Sequence, residues 1–154
     1  MSRRHTPRRR QLLITAGTAW LSLQARQATA VSAPDSLQQM VARWAGGKPV
    51  SEGRVRFEVP PLVENGNAVP ISVRVDSAMT AASHVQEIVV FNERNPQRDV
   101  VRAVFGPASG RAQLDTRIRL ATSQRLVALA RFSDGSQWSA QVDVLVTLAA
   151  CIEP

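Results

Sequence analysis

Hydrophobic and polar residues alternate with a period of two over most of the chain from Val55 onward. This alternation is typical of β-strands that have one buried and one exposed face. Residues 88–91 are instead apolar throughout, which predicts a strand covered on both faces. The patterns predict seven strands, at residues 55–59, 71–75, 85–91, 100–105, 112–120, 126–132 and 137–148.

A different period, close to 3.6 residues, precedes the first strand. Apolar side chains recur at the helical spacing of one buried face at Leu37, Met40, Val41 and Trp44. Asp35 or Ser36 can cap the start of this helix, and Gly46-Gly47 ends it. One short N-terminal helix and about seven strands predict a mainly β protein, an immunoglobulin-like antiparallel β-sandwich.

Turn residues separate the predicted strands. Pro96 has no amide hydrogen to donate and biases Asn95 away from helical conformation. It therefore ends the regular structure after the fully apolar strand. The Asn65-Gly66 pair predicts a turn in which positive φ is adopted. The clearest hairpin is expected at Ser133-Asp134-Gly135-Ser136.

The first thirty residues have the composition of an export signal. Arg9-Arg10 begins a twin-arginine-like motif, and an apolar stretch at residues 12–23 follows. Ala28-Thr29-Ala30 fits a cleavage site after Ala30. A general secretory signal and a membrane anchor are the alternatives, but the apolar stretch falls short of the roughly 20 residues that span a bilayer. We therefore expect a signal peptide at residues 1–30 and one periplasmic domain at residues 31–154.

The basic charge of the chain is concentrated in this leader. Six of the 19 Lys and Arg and none of the 12 Asp and Glu lie in residues 1–30, which leaves 13 basic and 12 acidic side chains in the remainder. A nearly neutral domain argues against nucleic-acid binding. The sequence also contains no glycine-rich phosphate loop, nucleophile elbow or paired metal ligands. His84 is interpreted as a loop residue, so no cofactor, metal or stand-alone enzyme is predicted.

Cys151 is the only cysteine of the chain. The last predicted strand stops at Leu148, so the thiol is expected on an arm, residues 149–154. Three residues of chain reach about 10 Å beyond a paired strand, far enough to enter the pocket of another protein. A lone cysteine near a terminus is ordinarily incidental or forms an intermolecular disulfide, and the residues considered so far leave that alternative open.

Several separate motifs resemble the SoxY family, the sulfur-carrier subunit of the periplasmic thiosulfate-oxidising system. The run Phe57-Glu58-Val59-Pro60-Pro61-Leu62-Val63-Glu64-Asn65-Gly66-Asn67-Ala68-Val69-Pro70 is similar to the family signature. Three further matches follow in the expected order, at Asn92-Glu93-Arg94-Asn95-Pro96, Thr116-Arg117-Ile118-Arg119-Leu120-Ala121 and Ser133-Asp134-Gly135. A cysteine near the C-terminus completes the resemblance, which covers nearly all of residues 35–151.

The resemblance implies an immunoglobulin-like sandwich that forms a heterodimer with a SoxZ-like subunit. It implies that Cys151 covalently holds thiosulfate-derived sulfur while other proteins act on it. By analogy, these are a c-type cytochrome coupling enzyme, a hydrolase that releases sulfate and a sulfane dehydrogenase. The chain itself would be a carrier and no catalyst. Turn formation is expected of residues 64–67, and Arg117 and Arg119 are expected to face solvent or the partner subunit.

The C-terminal residues depart from the family pattern. The family tail is usually Gly-Gly-Cys-Gly-Gly, whereas Cys151 lies between Ala149-Ala150 and Ile152-Glu153-Pro154. Alanine is conformationally narrower than glycine, and Glu153 and the terminal carboxylate disfavour a nearby thiolate. We therefore expect slower sulfur loading, or partner enzymes with wider or more basic pockets. The alternative is a diverged SoxY paralogue, an exported interaction module whose cysteine only forms intermolecular disulfides.

Overall fold

The structure is a computed structural model and describes residues 35–150. The expected signal segment, with Arg9, Arg10 and the cleavage position after Ala30, lies outside these residues, as does Cys151. Within the described residues, no helix is long and apolar enough to cross a membrane.

The described residues form two sheets and one α-helix. The larger sheet has the strand order β1-β9-β8-β5-β6 with β3 also paired to β9, and the smaller sheet has the order β2-β4-β7. The elements are α1 (Leu37–Ala45), β1 (Ser51–Glu52), β2 (Val55–Glu58), β3 (Leu62–Val63), β4 (Val69–Val75), β5 (Val85–Asn92), β6 (Asp99–Val104), β7 (Ala112–Ile118), β8 (Gln124–Phe132) and β9 (Gln137–Val146). The seven long strands correspond to the seven predicted ones, so the predicted mainly β sandwich is confirmed.

The main hydrophobic core lies between the two sheets. Alternation along β4 buries Val69, Ile71, Val73 and Val75 and leaves the residues between them facing outward. The larger sheet contributes fully buried side chains such as Phe132 to the same core. Hydrophobic residues therefore recur at every second position of the sequence because one face of each strand is buried in this core.

Helix α1 covers the outer face of the larger sheet. Ser36 and Gln39 form a reciprocal capping box at its start, and Gly46 ends it in the left-handed conformation at φ 61°. The helix packs over Val89 and Phe91, which are buried in a second hydrophobic cluster. This cover explains why residues 88–91 are apolar throughout, as the sequence predicted.

The pairing of β9 differs from the prediction of a wholly antiparallel sandwich. β1 and β3 both pair with β9 in parallel, with Leu62 opposite Leu145 and Val63 opposite Val146 in β3. Each of these strands is only two residues long, so neither produces a periodic pattern in the sequence. They cover the outer edge of β9, which would otherwise expose unpaired backbone groups.

The hairpin that joins β8 to β9 has the predicted turn. Gly135 adopts a φ of 81°, and the Asp134 carboxylate accepts a hydrogen bond of 2.8 Å from the Ser136 amide. This turn starts β9 at the end of the sandwich from which the strand runs toward Cys151.

Candidate functional site

Backbone hydrogen bonds hold the chain beyond β9 as far as Ala150. The Thr147 amide donates to the Val63 carbonyl at 3.0 Å, and the Leu148 carbonyl accepts from the Gly66 amide at 2.8 Å. The Ala150 amide then donates to the Leu120 carbonyl at 3.1 Å, and Ala150 is buried. Hydrogen bonding thus continues two residues farther than the expected end at Leu148.

The bonds that link Gly66, Leu120, Leu148 and Ala150 are called the C-terminal clamp below. A third bond completes it, from the Leu120 amide to the Gly66 carbonyl at 2.8 Å. Three distant segments of the chain therefore meet directly before Cys151. The expectation that the thiol lies three residues beyond the last paired residue is wrong, because Ala150, its immediate neighbour, is itself paired.

Gly66 is at the centre of this clamp for a reason that differs from the predicted one. Neither Asn65 nor Gly66 has a positive φ angle. The prediction of positive φ at this Asn-Gly pair is therefore wrong. A Cβ atom at position 66 would instead lie 2.4 Å from the Leu120 carbonyl oxygen and 2.8 Å from the Ala150 nitrogen. Glycine is required here because two backbone segments approach it closely.

The side chain of Asn95 fixes the peptide groups on both sides of Leu120. Its Nδ2 donates to the Arg119 carbonyl at 2.7 Å, and its Oδ1 accepts from the Ala121 amide at 3.0 Å. Leu120 itself is fully buried in the main core. Leu120 is therefore fixed by its side chain and by its two neighbouring peptides, and its remaining backbone groups bind Gly66 and Ala150.

Two buried amide side chains support Asn95. Asn92, fully buried at the end of β5, accepts from the Asn95 backbone amide at 3.0 Å and donates to the Gln97 carbonyl at 3.0 Å. Gln124, buried at the start of β8, donates to Asn95 Oδ1 at 2.7 Å and accepts from the Arg94 amide at 2.8 Å. Asn92, Asn95 and Gln124 are called the amide cluster below. Their hydrogen bonds offset the cost of burying polar groups.

The sequence analysis did not identify the amide cluster as part of the site. It treated Asn95 as the residue before a strand-breaking proline and as part of a family-like motif, without giving its side chain a role. One signal was present, since Asn92 directly follows an apolar strand, and a polar residue there needs hydrogen-bond partners if it is buried. Gln124 carries no comparable signal, because an amide before a strand is equally compatible with an exposed loop.

The other residues singled out in the sequence lie away from the clamp or have structural contacts. His84 is in the loop before β5, where its Nδ1 lies 3.1 Å from the Thr80 carbonyl oxygen. Arg117 and Arg119 are exposed, as expected. Asn65 accepts a hydrogen bond from the Asn67 amide at 2.9 Å, which is the expected turn chemistry.

A second polar cluster, under helix α1, is charged. Glu87 accepts from Trp44 Nε1 at 3.0 Å and forms ion pairs with Arg102 and with Arg131, the latter at 3.6 Å. These four residues are called the Glu87 cluster below. Arg131 also lies over the Trp44 ring, 4.6 Å from its centroid, and donates to the Trp44 carbonyl at 2.8 Å. The Glu87 cluster therefore attaches helix α1 to the larger sheet.

Charged partners shift the pKa of one member of this cluster. Hydrogen bonding to Asp99 raises the pKa of Arg102 above its usual value, and the nearby Glu87 carboxylate adds to the effect. Arg102 therefore stays protonated at every physiological pH. Across residues 35–150, no group of three or more His, Cys, Asp and Glu side chains is arranged to hold a metal ion.

The fold and the clamp define a class: a small immunoglobulin-like sandwich that holds its C-terminal segment at one end of the sheets. The family model described as sulfur oxidation protein SoxY matches residues 41–151, a span that ends on Cys151. The chain belongs to the SoxY family, and this membership supports a sulfur-carrier role. Comparison with curated proteins gives no match.

Solved structures share the fold. The sulfur carrier protein SoxY from Chlorobium limicola f thiosulfatophilum is 24% identical with a TM-score of 0.61, and the match covers 73% of this chain and 97% of that one. A superoxide reductase (neelaredoxin) from Ignicoccus hospitalis is 18% identical with a TM-score of 0.56, over 61% of this chain and 80% of that one. At these identities the likeness shows a common architecture, so the carrier role depends on the family match.

Proposed function

We propose that the chain is a periplasmic carrier that holds thiosulfate-derived sulfur on Cys151. The C-terminal clamp is the observation that carries the proposal. It fixes Ala150, the residue before Cys151, to one end of the sandwich by a hydrogen bond to Leu120. The family match, which includes Cys151, supports the assignment of this residue as the attachment point.

The carrier chemistry consists of one bond-forming step followed by steps on the bound sulfur. The thiol of Cys151 and the outer sulfur of thiosulfate would form an S–S bond, and the thiol proton and two electrons would leave. A c-type cytochrome enzyme would accept the electrons. A hydrolase would then add water across the bond to the sulfonate, which releases sulfate and a proton and leaves a persulfide on Cys151. A sulfane dehydrogenase would oxidise the remaining sulfur to a sulfonate, taking the oxygen atoms from water and passing the electrons to an acceptor, and a second hydrolysis would release sulfate and restore the Cys151 thiol.

The chain's own part in these steps is presentation. A carrier needs one accessible sulfur that several enzymes can admit in turn, and a defined position shortens each search. The clamp fixes the residue before Cys151 with peptide and amide groups, which bring no net charge next to an anionic adduct. A SoxZ-like subunit would complete the carrier as a heterodimer, and the proposed export signal would deliver it to the periplasm.

Mass spectrometry of the intact protein and its peptides tests the proposal. The mature chain is purified with its SoxZ-like partner from cells grown on thiosulfate, without reductant. We expect a sulfane, sulfonate or thiosulfonate adduct on Cys151 that is absent from Cys151→Ser. A glycine-tailed carrier prepared in parallel is the matched control. If that control loads while this chain shows only free thiol or a Cys151 to Cys151 disulfide, the chain is an interaction module and the proposal fails.

A further inference from the structure

Exposed leucines are concentrated beside the C-terminal clamp. Four large hydrophobic side chains are strongly exposed among residues 35–150: Leu62 at 56%, Leu145 at 63%, Leu148 at 62% and Val104 at 81%. Three of them, called the leucine patch below, are Leu62, Leu145 and Leu148. Isolated exposed hydrophobic residues are ordinary on a protein surface, but a group of them at one place marks an interaction site.

The register of the strands brings two of these leucines together. Leu62 in β3 and Leu145 in β9 are direct partners in a parallel pair, so their side chains project from the same face of the sheet. Leu148 follows on the same chain, and its carbonyl is part of the clamp. The patch therefore extends from β3 over the end of β9 to Leu148, three residues before Cys151.

The clamp limits how far Cys151 can move from this surface. The Ala150 amide is bonded to Leu120, and consecutive Cα atoms are about 3.8 Å apart. Covalent geometry alone keeps the Cys151 sulfur within about 7 Å of the Ala150 Cα atom, and the clamp holds Ala150 against the sandwich. An enzyme cannot form a bond to this sulfur without placing its own surface against the carrier around Ala150.

Leu148 falls inside the area that such an enzyme would cover, and the patch extends from it toward the margin of that area. A standard protein interface buries about 800 Å² on each partner, equivalent to a disc of about 16 Å radius. Leu148 is two steps along the chain from Ala150, at most about 7 Å, and Leu145 is five steps away, at most about 18 Å. Val104, at the free edge of β6, belongs to the other edge strand of the larger sheet.

From these observations we infer that the leucine patch is the docking surface for the enzymes that act on the Cys151 sulfur. Each such enzyme would present apolar side chains around the entrance of the cleft that admits the thiol. Burial of the leucines would bind the carrier, and the short reach of Cys151 would then direct the sulfur into the cleft. This inference rests on the proposed function.

Steady-state coupling kinetics with the c-type cytochrome enzyme and thiosulfate test the inference. The variants are Leu62→Thr, Leu145→Thr and Leu148→Ser in the heterodimer, and Val104→Thr is the matched control on an exposed strand. We expect each leucine variant to raise the KM for the carrier about three- to tenfold, at unchanged kcat, since each loses part of one leucine's burial. Val104→Thr should leave KM unchanged.

Two further measurements separate docking from other effects. Alkylation of Cys151 by iodoacetamide, which needs no docking surface, should be equally fast in all variants, and size-exclusion chromatography should show intact heterodimers. Unchanged KM values, or an equal rise in Val104→Thr, would overturn the inference. Loss of the heterodimer in the leucine variants would also overturn it, because the patch would then bind the SoxZ-like subunit. If the wild type loads no sulfur, the proposed function itself fails. If the wild type loads and the leucine variants load equally well, only the docking inference fails.

Discussion

The two polar clusters of this sandwich differ in charge and in what they hold. The amide cluster is neutral and fixes backbone groups around Leu120, which in turn bind Ala150. The Glu87 cluster is ionic and attaches helix α1 to the larger sheet through Trp44 and Arg131. Ionic contacts thus stabilise the attachment of helix α1, away from the carrier residue. The backbone beside the carrier residue is instead fixed by neutral amide groups.

Disruption of the clamp itself should have the largest effect. Gly66→Ala places a Cβ atom 2.4 Å from the Leu120 carbonyl oxygen, so the two backbone segments must separate. We expect the free energy of unfolding to fall by about 3 kcal/mol, through overpacking and lost hydrogen bonds. Urea unfolding and the rate of sulfur loading measure the two consequences.

Gly106→Ala is the matched control for that change. Gly106 has an extended φ of −139°, and a Cβ atom there would meet nothing within 4 Å. We expect its stability and loading to equal those of the wild type. A Gly66→Ala variant that behaves like Gly106→Ala would contradict the account of the clamp.

Removal of the Asn95 side chain should have the next largest effect. Asn95→Ala leaves the Arg119 carbonyl, the Ala121 amide and Gln124 Nε2 without this partner. Gln124 Nε2 keeps its bond to the Thr122 carbonyl, but two backbone groups beside the buried Leu120 lose their partner, so we expect a loss of about 1 to 2 kcal/mol in the free energy of unfolding. Sulfur loading should slow as well. Asn67→Ala, at an exposed turn, should change stability by less than about 0.5 kcal/mol.

A change in the Glu87 cluster should lower stability without slowing sulfur loading. Glu87→Gln keeps an acceptor for Trp44 Nε1 but removes the negative charge that faces Arg102 and Arg131. We expect stability to fall by about 1 to 2 kcal/mol, because Glu87 is largely buried and its partners lose their counter-charge. Sulfur loading at a temperature where the variant is folded should be unchanged. Slower loading by folded Glu87→Gln would remove the proposed division between the two clusters.

Changes after Cys151 extend the comparison to the charge next to the thiol. If neutrality at the attachment point favours an anionic adduct, Glu153→Gly should speed thiosulfate coupling by about two- to fivefold. Ile152→Gly tests bulk instead of charge, and Glu153→Gln separates the charge of Glu153 from its size. The rate of thiosulfate coupling is measured for each variant. Rates equal to that of the wild type in all three variants would contradict an effect of either charge or bulk after Cys151.

The smallest effect is expected from an exposed ion pair. Arg125 binds Asp143 through two hydrogen bonds, of 2.8 and 3.1 Å, and this bonding lowers the pKa of Asp143. A lowered pKa stabilises the folded state above the unfolded pKa of about 3.9, and the contribution disappears as pH falls through the folded value. Asp143→Asn should therefore unfold at slightly lower urea at pH 7 and at the same urea as wild type once the pH is below the folded pKa of Asp143. A difference that persists at low pH would point to a cause other than this charge.

The sequence predicted most of the fold because burial of one strand face leaves a period in the side chains. The same reasoning placed helix α1 and the turn at Asp134-Gly135. It could not predict β3, whose two residues are too few for a period. It also placed the end of pairing too early, because the bond from Ala150 to Leu120 is made by backbone atoms that every residue possesses.

The candidate site was predictable only in part. Cys151 stands out because it is the only thiol, and the motif that contains Asn95 was found through its resemblance to a family. The use of Asn95 depends on the spatial proximity of Leu120, which no local pattern encodes. Gly66 illustrates the same limit, since a turn and a close backbone approach both call for glycine, and only the structure distinguishes them.

The C-terminal clamp also has a consequence for the order of folding. It joins Gly66, Leu120 and Ala150, so it closes loops that together extend over most of the domain. Contacts between residues far apart in sequence form late, because loop closure costs entropy before the contact compensates for it. During synthesis, moreover, Ala150 leaves the ribosome after every other part of the clamp. We therefore expect protection of the Ala150 amide from hydrogen exchange to appear last in refolding, so that pairing of the residue before the thiol would mark a completed domain.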